Sequence, residues 1–206
     1  MRILIAGFGP FPGAPFNPSA LLTAALARRR RPALSGIEID SHVFATVYAA
    51  VDRDLPKLLA RKPDAVLIFG LAAGRPHISV ETRARNSVAP LSTDASGRRP
   101  RRATIDSGAP RSRNGNAPAA LLLNALRRSG VPARLSRDAG RYLCNYAYWR
   151  ALQHVEDNRP LVQFVHIPRL RIVAHLGTLK RRRPSLAELT AAAENLLIAL
   201  AAASRR

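Results

Sequence analysis

Pro63-Asp-Ala-Val-Leu-Ile-Phe-Gly70 sets the architecture that we expect for this chain. It is a short, unbroken apolar run that ends at a glycine, a pattern typical of a strand buried on both faces. Similar runs occur at 2–6 and at 160–168. Because helical patterns separate these strands, we predict an α/β fold: a three-layer αβα sandwich with a twisted, largely parallel central sheet.

Capping signals and periodicity mark the remaining elements. Asn17 and Pro18 suit the cap and the first position of one helix. Ser185 and Glu188 have the spacing of a capping box for the last helix. Other helices are predicted at 52–59, 117–128 and 146–155, other strands at 37–47 and 131–136, and an exposed strand or extended arm at 77–86.

The length of the chain predicts a single domain. A chain of 206 residues is long enough to bury one full hydrophobic core, so we assign 1–206 to one domain. Residues 89–116 are rich in Pro, Gly, Ser and Arg and show no periodicity. A segment of this length without periodicity is long for a loop, and we predict a mobile basic loop there.

The net charge of +20 comes almost entirely from arginine. Basic runs lie at 28–31, 98–102, 111–113 and 181–183, which are predicted helix ends and loops. They are not interleaved with aromatic residues, as a surface that stacks RNA bases would be. We therefore expect no specific nucleic-acid partner, and we keep a basic nucleic-acid-binding α/β protein as an alternative.

Cysteine and histidine usage bounds the compartment and the cofactors. A single cysteine excludes an internal disulfide and fits a reducing cytoplasm. The apolar run after Met1 is too short for the core of a signal peptide, and we expect no apolar stretch of membrane-spanning length. No Cys/His cluster has the spacing of metal ligands, so we expect no metal and no cofactor.

The lone cysteine is a candidate nucleophile. It lies in Asp138-Ala-Gly-Arg-Tyr-Leu-Cys144-Asn-Tyr-Ala-Tyr-Trp149, where a turn gives way to a helix. Unpaired N–H groups and the helix dipole favour a thiolate at such a position, and the thiolate is the nucleophile. The alternative is a buried structural cysteine.

A nucleophilic thiol also needs a base and a group that orients the base. His166, near a strand end and before Ile167-Pro168, is the best placed of the five histidines, and its alternative role is packing in the core. Glu81 is the acidic residue in a basic stretch, and surface ion pairing would also explain it. Asp94 is a weaker candidate for the same role.

Five blocks of sequence resemble the pyroglutamyl peptidase I family, the pyrrolidone-carboxylate peptidases of cysteine peptidase family C15. They are Gly7-Phe-Gly-Pro-Phe-Pro-Gly13 with Asn17-Pro18-Ser19, Gly70-Leu-Ala-Ala-Gly-Arg75, Ile78-Ser-Val-Glu-Thr-Arg-Ala-Arg-Asn86, Asp138-Ala-Gly-Arg-Tyr-Leu-Cys-Asn145 and Phe164-Val-His-Ile-Pro168. The blocks follow the order of the family over most of the chain. The first loop and the cysteine block are the specific ones.

The resemblance implies a phosphorylase/hydrolase-like fold and a Cys-His-Glu triad, here Cys144, His166 and Glu81. It implies a cysteine exopeptidase that cleaves after an N-terminal pyroglutamyl residue of peptides and proteins through a thioester. It further implies a homodimer or homotetramer. The residues that match the family's ring pocket are Phe8, Phe11, Thr46 and Leu143. Core packing is the alternative role of the two phenylalanines.

The chain departs from the pattern of the family at four places, one of which is Arg169, where an aromatic residue usually follows Pro168. Leu71 stands where glutamine is frequent, and Thr82 stands where arginine usually follows the triad glutamate. The stretch Ala89-Pro-Leu-Ser-Thr-Asp94 keeps the aspartate but not the arginine. These departures leave a second alternative open, an inactive or altered-substrate relative.

Overall fold

The computed structural model describes residues 1–171 and 183–205. His175 and most of the basic run at 181–183 lie outside these ranges. The strands are β1 (Arg2–Phe8), β2 (Glu38–Phe44), β3 (Ala65–Leu71), β4 (Ile78–Glu81), β5 (Arg83–Arg85), β6 (Ser112–Asn114), β7 (Ala133–Ser136) and β8 (Leu161–Ile167). The α-helices are α1 (Pro18–Ala27), α2 (Tyr48–Leu59), α3 (Ala119–Arg127), α4 (Leu143–Gln153) and α5 (Leu186–Ser204).

The main sheet has the strand order β2-β1-β3-β8-β4-β7. Its pairs are parallel except that β4 runs antiparallel to β8. Side chains alternate across β1, so that Ile3 and Ile5 share a core with α1, α3 and α5, while Leu4 shares the opposite core with α2 and α4. The predicted three-layer αβα sandwich with a largely parallel sheet is confirmed.

The strand that carries Glu81 is internal, so the predicted exposed strand or arm at 77–86 is wrong. β4 lies between β8 and β7, and every residue of it is buried. Ile78 and Val80 pack in the core with α3 and α5. Ser79 and Glu81 point to the other face and have no exposed surface. The alternation that suggested a solvated face therefore separates an apolar core from a buried polar site.

Two helices begin earlier than predicted. α2 starts at Tyr48 rather than at residue 52, and α4 starts at Leu143 rather than at residue 146. Neither has a side-chain cap, which removes the signal that sequence reasoning uses for a helix start. The earlier start of α4 places Cys144 inside its first turn. In contrast, the predicted caps at Asn17 and Ser185 are confirmed.

The last helix is long and apolar enough to cross a membrane by length and composition, contrary to our expectation. It is nevertheless a core helix. Leu189, Leu196 and Leu200 have no exposed surface and pack with residues of α1 and α3. Its apolar composition therefore follows from burial between helices and the sheet.

The basic segment at 89–116 contains a strand that periodicity did not reveal. β6 pairs antiparallel with β5. The side chain of Asn86 binds the backbone of this segment from outside, donating to the Asp106 and Ala109 carbonyls and accepting from the Ile105 and Asp106 N–H groups. The mobility of the segment 89–116 stays a prediction.

The capping box of α5 provides a test of the fold. Ser185→Ala removes the hydroxyl that accepts a hydrogen bond from the Glu188 N–H, and we expect the free energy of unfolding to fall by about 1 kcal/mol. Urea denaturation measures the loss, with the exposed Ser35→Ala as control. Equal stability of the two variants would contradict the capping role.

Candidate active site

A cleft of about 350 Å³ lies where the carboxyl ends of β1, β3 and β8 meet the first turn of α4. Ligand sites in sheets of this kind form beyond the carboxyl ends of the strands. The sequence-predicted residues that line it are Phe8, Phe11, Thr46, Leu143, Cys144 and His166. Glu81 lies behind the imidazole of His166, to which it is hydrogen bonded.

The thiol of Cys144 opens on this cleft and does not belong to a sealed core, because the residue is only partly buried. Gly70 makes room for it: a Cβ at position 70 would lie 2.7 Å from the sulfur and 2.7 Å from Cζ of Phe164. A hydrogen bond from its own backbone N–H and the charge of Arg75 favour the thiolate. Burial and the Glu81 charge outweigh them and raise the pKa of Cys144 to about 12. The predicted thiolate is therefore not the resting form, and the thiol needs a base.

His166 is held by a carboxylate on the neighbouring strand. In the antiparallel β4–β8 register, Ser79 lies opposite His166, so Glu81 is two residues along on the same face. The His166 Nδ1 is 2.8 Å from the Glu81 Oε1. With Nδ1 engaged, Nε2 is the ring nitrogen left to exchange a proton with a group in the cleft.

Glu81 is ionised although it has no exposed surface. Burial opposes its charge, but hydrogen bonds and charge from His166, Ser136 and Arg75 hold its pKa below the usual range. The ion pair considered for the surface therefore exists, but it is internal: Arg75 Nη1 lies 2.6 Å from the Glu81 Oε1. Tyr148 and Gln163 donate to the Glu81 backbone carbonyl and fix the end of β4.

Aromatic and apolar side chains wall the cleft beside the thiol. Phe8 has both of the roles considered, because it packs against Phe164 and Phe44 in the core and also lines the cleft. Phe11 packs against Tyr142. The aromatic part of the wall suits a flat, uncharged group.

Thr46 and Leu143 line the cleft in different ways. Thr46 donates its hydroxyl hydrogen to the Gly9 carbonyl and so fixes the loop that carries Phe11. Leu143, the first residue of α4, is fully buried and contributes apolar surface. Both positions therefore shape the wall, and neither offers a free polar side-chain atom.

Asp94 does not join the site. Its carboxylate accepts hydrogen bonds from the backbone N–H groups of Tyr48, Ser96 and Arg98, and it is absent from the lining of the cleft. It fixes the turn of its own loop to the start of α2. The closeness of Asp94 to Glu81 in the sequence suggested a place in the site, but the chain turns away from the cleft after β5.

Several cleft residues were given no role in the site in advance, and three of them are prominent. Tyr142, Leu71 and Arg75 all line the cleft. Tyr142 belongs to the cysteine block, and Leu71 and Arg75 belong to the turn at the carboxyl end of β3, where sites gather in such sheets, but no role was predicted for these three side chains. Thr82, by contrast, lies outside the lining and donates to the Ser136 carbonyl, joining β4 to β7.

Comparisons with known proteins agree with this geometry. The sequence model of the pyroglutamyl peptidase family matches residues 1–206. A pyrrolidone-carboxylate peptidase of Thermococcus kodakarensis is 33% identical over 190 residues, which cover 91% of this chain and 88% of that protein. One of Gloeobacter violaceus is 34% identical, covering 82% of each.

Solved structures show the same likeness. A mutant pyrrolidone carboxyl peptidase from Pyrococcus furiosus superposes with a TM-score of 0.87 at 27% identity, covering 99% of this chain and 100% of that one. The pyrrolidone carboxyl peptidase from Thermus thermophilus gives 0.82 at 31% identity, covering 95% and 98%. The likeness thus extends over essentially the whole fold.

The space at position 70 provides a test of the thiol's surroundings. In Gly70→Ala the new methyl group must displace the sulfur or Phe164, and we expect alkylation of Cys144 by iodoacetamide to slow by about 100-fold. Gly74→Ala is the matched control, because a Cβ there meets nothing within 4 Å. Equal alkylation rates in the two variants would contradict the tight placement of the thiol.

Proposed function

The chain belongs to the pyroglutamyl peptidase family of cysteine peptidases, and we propose that it hydrolyses the amide bond after an N-terminal pyroglutamyl residue of peptides and proteins. One observation carries the proposal: a thiol and an imidazole line the same cleft, and a buried carboxylate holds the imidazole. We assign Cys144 as nucleophile, His166 as general acid and base, and Glu81 as the group that orients His166.

The first half-reaction forms a thioester. Because the thiol is protonated at rest, Nε2 of His166 accepts its proton as the sulfur attacks the substrate carbonyl carbon. The tetrahedral intermediate then collapses, the carbon–nitrogen bond breaks, and the imidazolium donates its proton to the leaving amine. The carboxylate of Glu81 stabilises the imidazolium that exists between these two transfers.

Water completes the cycle. His166 removes a proton from water, which attacks the thioester carbonyl, and the same proton returns to the sulfur as it leaves. Pyroglutamic acid departs and the thiol is restored. The N–H groups of the first turn of α4 have no partner within the helix, and they supply positive potential beside the developing oxyanion.

The lining of the cleft favours a blocked N-terminus over a free one. Phe8, Phe11 and Tyr142 present apolar surface to a flat lactam ring. An α-ammonium group would need a carboxylate, and within the described part of the chain no aspartate or glutamate lines the cleft. The Arg75 guanidinium is engaged with Glu81 and with the Asp138 carbonyl. An uncharged pyroglutamyl group therefore binds at lower desolvation cost.

One observation supports a second candidate, an altered-substrate relative. Leu71 presents an apolar side chain at the end of β3, where it lines the cleft. A leucine there offers no hydrogen bond to a lactam and tolerates other N-acyl groups. Turnover of acyl-amino-acid amides with little turnover of pyroglutamyl amides would favour this candidate.

Compartment and assembly complete the proposal. The proposed reaction needs a free thiol, which supports a cytoplasmic location. We retain a homodimer or homotetramer as a prediction, with the segment 89–116 at the interface, because Leu91 is 81% exposed there. Light scattering coupled to size exclusion measures the mass in solution, and a monomer at working concentrations would contradict it.

The reaction is tested with a pyroglutamyl amide of a fluorescent amine. We expect the chain to release the fluorophore and Cys144→Ser to lose turnover by at least about 10³-fold, since the hydroxyl is a far weaker nucleophile. Mass spectrometry of the acid-quenched enzyme should show one pyroglutamyl group on the peptide that contains Cys144. Full activity of Cys144→Ser would refute the assignment of the nucleophile.

A further inference from the structure

We propose that Arg75 is a positioning residue of the active site, which holds the Glu81 carboxylate beside His166 and offsets its negative charge near the thiol of Cys144. The inference rests on the proposed function, because it concerns how the same imidazole receives the thiol proton. The geometry points to it through the contacts of one guanidinium with both sides of the site.

Arg75 joins the side chain of Glu81 to the turn at Asp138. Its Nη1 donates to the Glu81 Oε1 at 2.6 Å, and its Nη2 donates to the Asp138 carbonyl at 2.7 Å. Asp138 belongs to the turn that leads into α4 and Cys144. A planar fork with fixed donor directions suits such a bridge, because it fixes both distance and angle. Arg75 therefore fixes the position of the Glu81 carboxylate relative to the turn that leads into Cys144.

The arginine itself is fixed by a tight turn. Its backbone N–H donates to the Ala72 carbonyl, and the Ala72 N–H donates to the Ile167 carbonyl at the end of β8. The turn after β3 is thus tied to the strand that carries His166. The guanidinium is partly covered, with 29% of the side chain exposed, and its bond to Glu81 is more sheltered from water than its bond to Asp138.

Charge balance gives the bridge a chemical consequence. His166 and Arg75 share one acceptor, the Oε1 of Glu81, and this carboxylate has no exposed surface. With Arg75 present, that oxygen also pairs with a permanent cation. Without Arg75, the uncompensated negative charge of Glu81 would act on the thiol, whose pKa the Glu81 charge raises. A thiol with a higher pKa gives its proton to His166 less readily.

The other groups around this carboxylate do not supply such a cation. From α4, Tyr148 donates to the Glu81 backbone carbonyl, and burial with the Glu81 charge raises the pKa of its phenol far above the usual value. The thiol of Cys144 is neutral at rest. Ser136 on β7 is uncharged, and Asp138 is exposed and lies 3.6 Å from Arg85. Among residues 1–171 and 183–205, Arg75 is the permanently charged cation that pairs with Glu81.

The direction of the pH effect follows from these contacts. Removing the Arg75 charge raises the pKa of the Cys144 thiol, because Arg75 lowers that pKa in the native protein and the Glu81 charge raises it. A higher thiol pKa moves the acid limb of Cys144 reactivity to higher pH.

The experiment compares Arg75→Met and Arg75→Lys with the parent chain. Two profiles are measured against pH: alkylation of Cys144 by iodoacetamide, which needs no substrate, and kcat/KM for a fluorogenic pyroglutamyl amide. We expect the acid limb of both profiles to move up by about one pH unit in Arg75→Met. We expect Arg75→Lys to keep the limb of the parent and to lose about tenfold in kcat, because the charge remains and the fork is lost.

The matched control is Arg83→Met. Arg83 also donates from its guanidinium to the backbone of the cysteine turn, at the Arg137 carbonyl, but it does not touch Glu81. We expect the acid limb of both pH profiles in Arg83→Met to coincide with that of the parent chain. A shift of equal size in Arg83→Met would overturn the assignment to Arg75, since it would reflect the net charge of the surface.

The remaining outcomes separate the inference from the function. A folded Arg75→Met with an unmoved acid limb overturns the inference, even if activity is lost, because that loss is purely structural. If Arg75→Met does not fold, Arg75→Lys decides: parental kcat or a shifted limb overturns the inference. A shifted alkylation limb without pyroglutamyl hydrolysis by the parent chain supports the inference and refutes the proposed function.

Discussion

The hydrogen bond between His166 and Glu81 is the constraint on which the site depends. It exists because β4 runs antiparallel to β8, which puts the two side chains on one face within reach of each other. β4 and its parallel neighbour β7 run opposite to the other four strands of the sheet. A parallel β4 would place its carboxyl end, and with it the carboxylate, at a different height relative to the end of β8. The reversal between β8 and β4 therefore places the carboxylate next to the histidine.

Burial of that carboxylate determines much of the surrounding structure. A buried charge is tolerated when it is paired and hydrogen bonded, and Glu81 meets this condition through His166 and Arg75. Hydrogen bonds from Tyr148 and Gln163 fix the backbone of the same residue. Gly70 then leaves the volume in which the sulfur sits against Phe164. Charge and available volume therefore constrain the residues beside the thiol. Apolar surface is the main feature of the aromatic wall formed by Phe8, Phe11 and Tyr142.

Sequence patterns predicted the elements that depend on neighbouring residues in the chain, and they failed for features that depend on tertiary contacts. Continuous apolar runs predicted the buried strands, and capping residues predicted α1 and α5, because each signal lies within a few residues of its effect. The start of α4 and the internal position of β4 depend on neighbours distant in the chain, so they were predicted late or wrongly. In the site, strand ends brought Cys144 and His166 together as expected. Arg75 was missed because its bridge joins residues 6 and 63 positions away.

The most direct test of this account is the rate of Cys144 alkylation near neutral pH in Glu81→Gln, compared with the parent chain and with Asp94→Asn. The amide keeps the shape of Glu81 but not its charge. Loss of the charge lowers the pKa of the thiol, but it also removes the group that stabilises the imidazolium formed when His166 takes the thiol proton. We expect the second effect to dominate, because the carboxylate is in direct hydrogen-bond contact with His166. The account predicts that the rate falls by at least about tenfold in Glu81→Gln. It predicts no change in Asp94→Asn, whose carboxylate lies away from the cleft. Equal rates in all three proteins would contradict the claim that this buried carboxylate makes the histidine a base for the thiol.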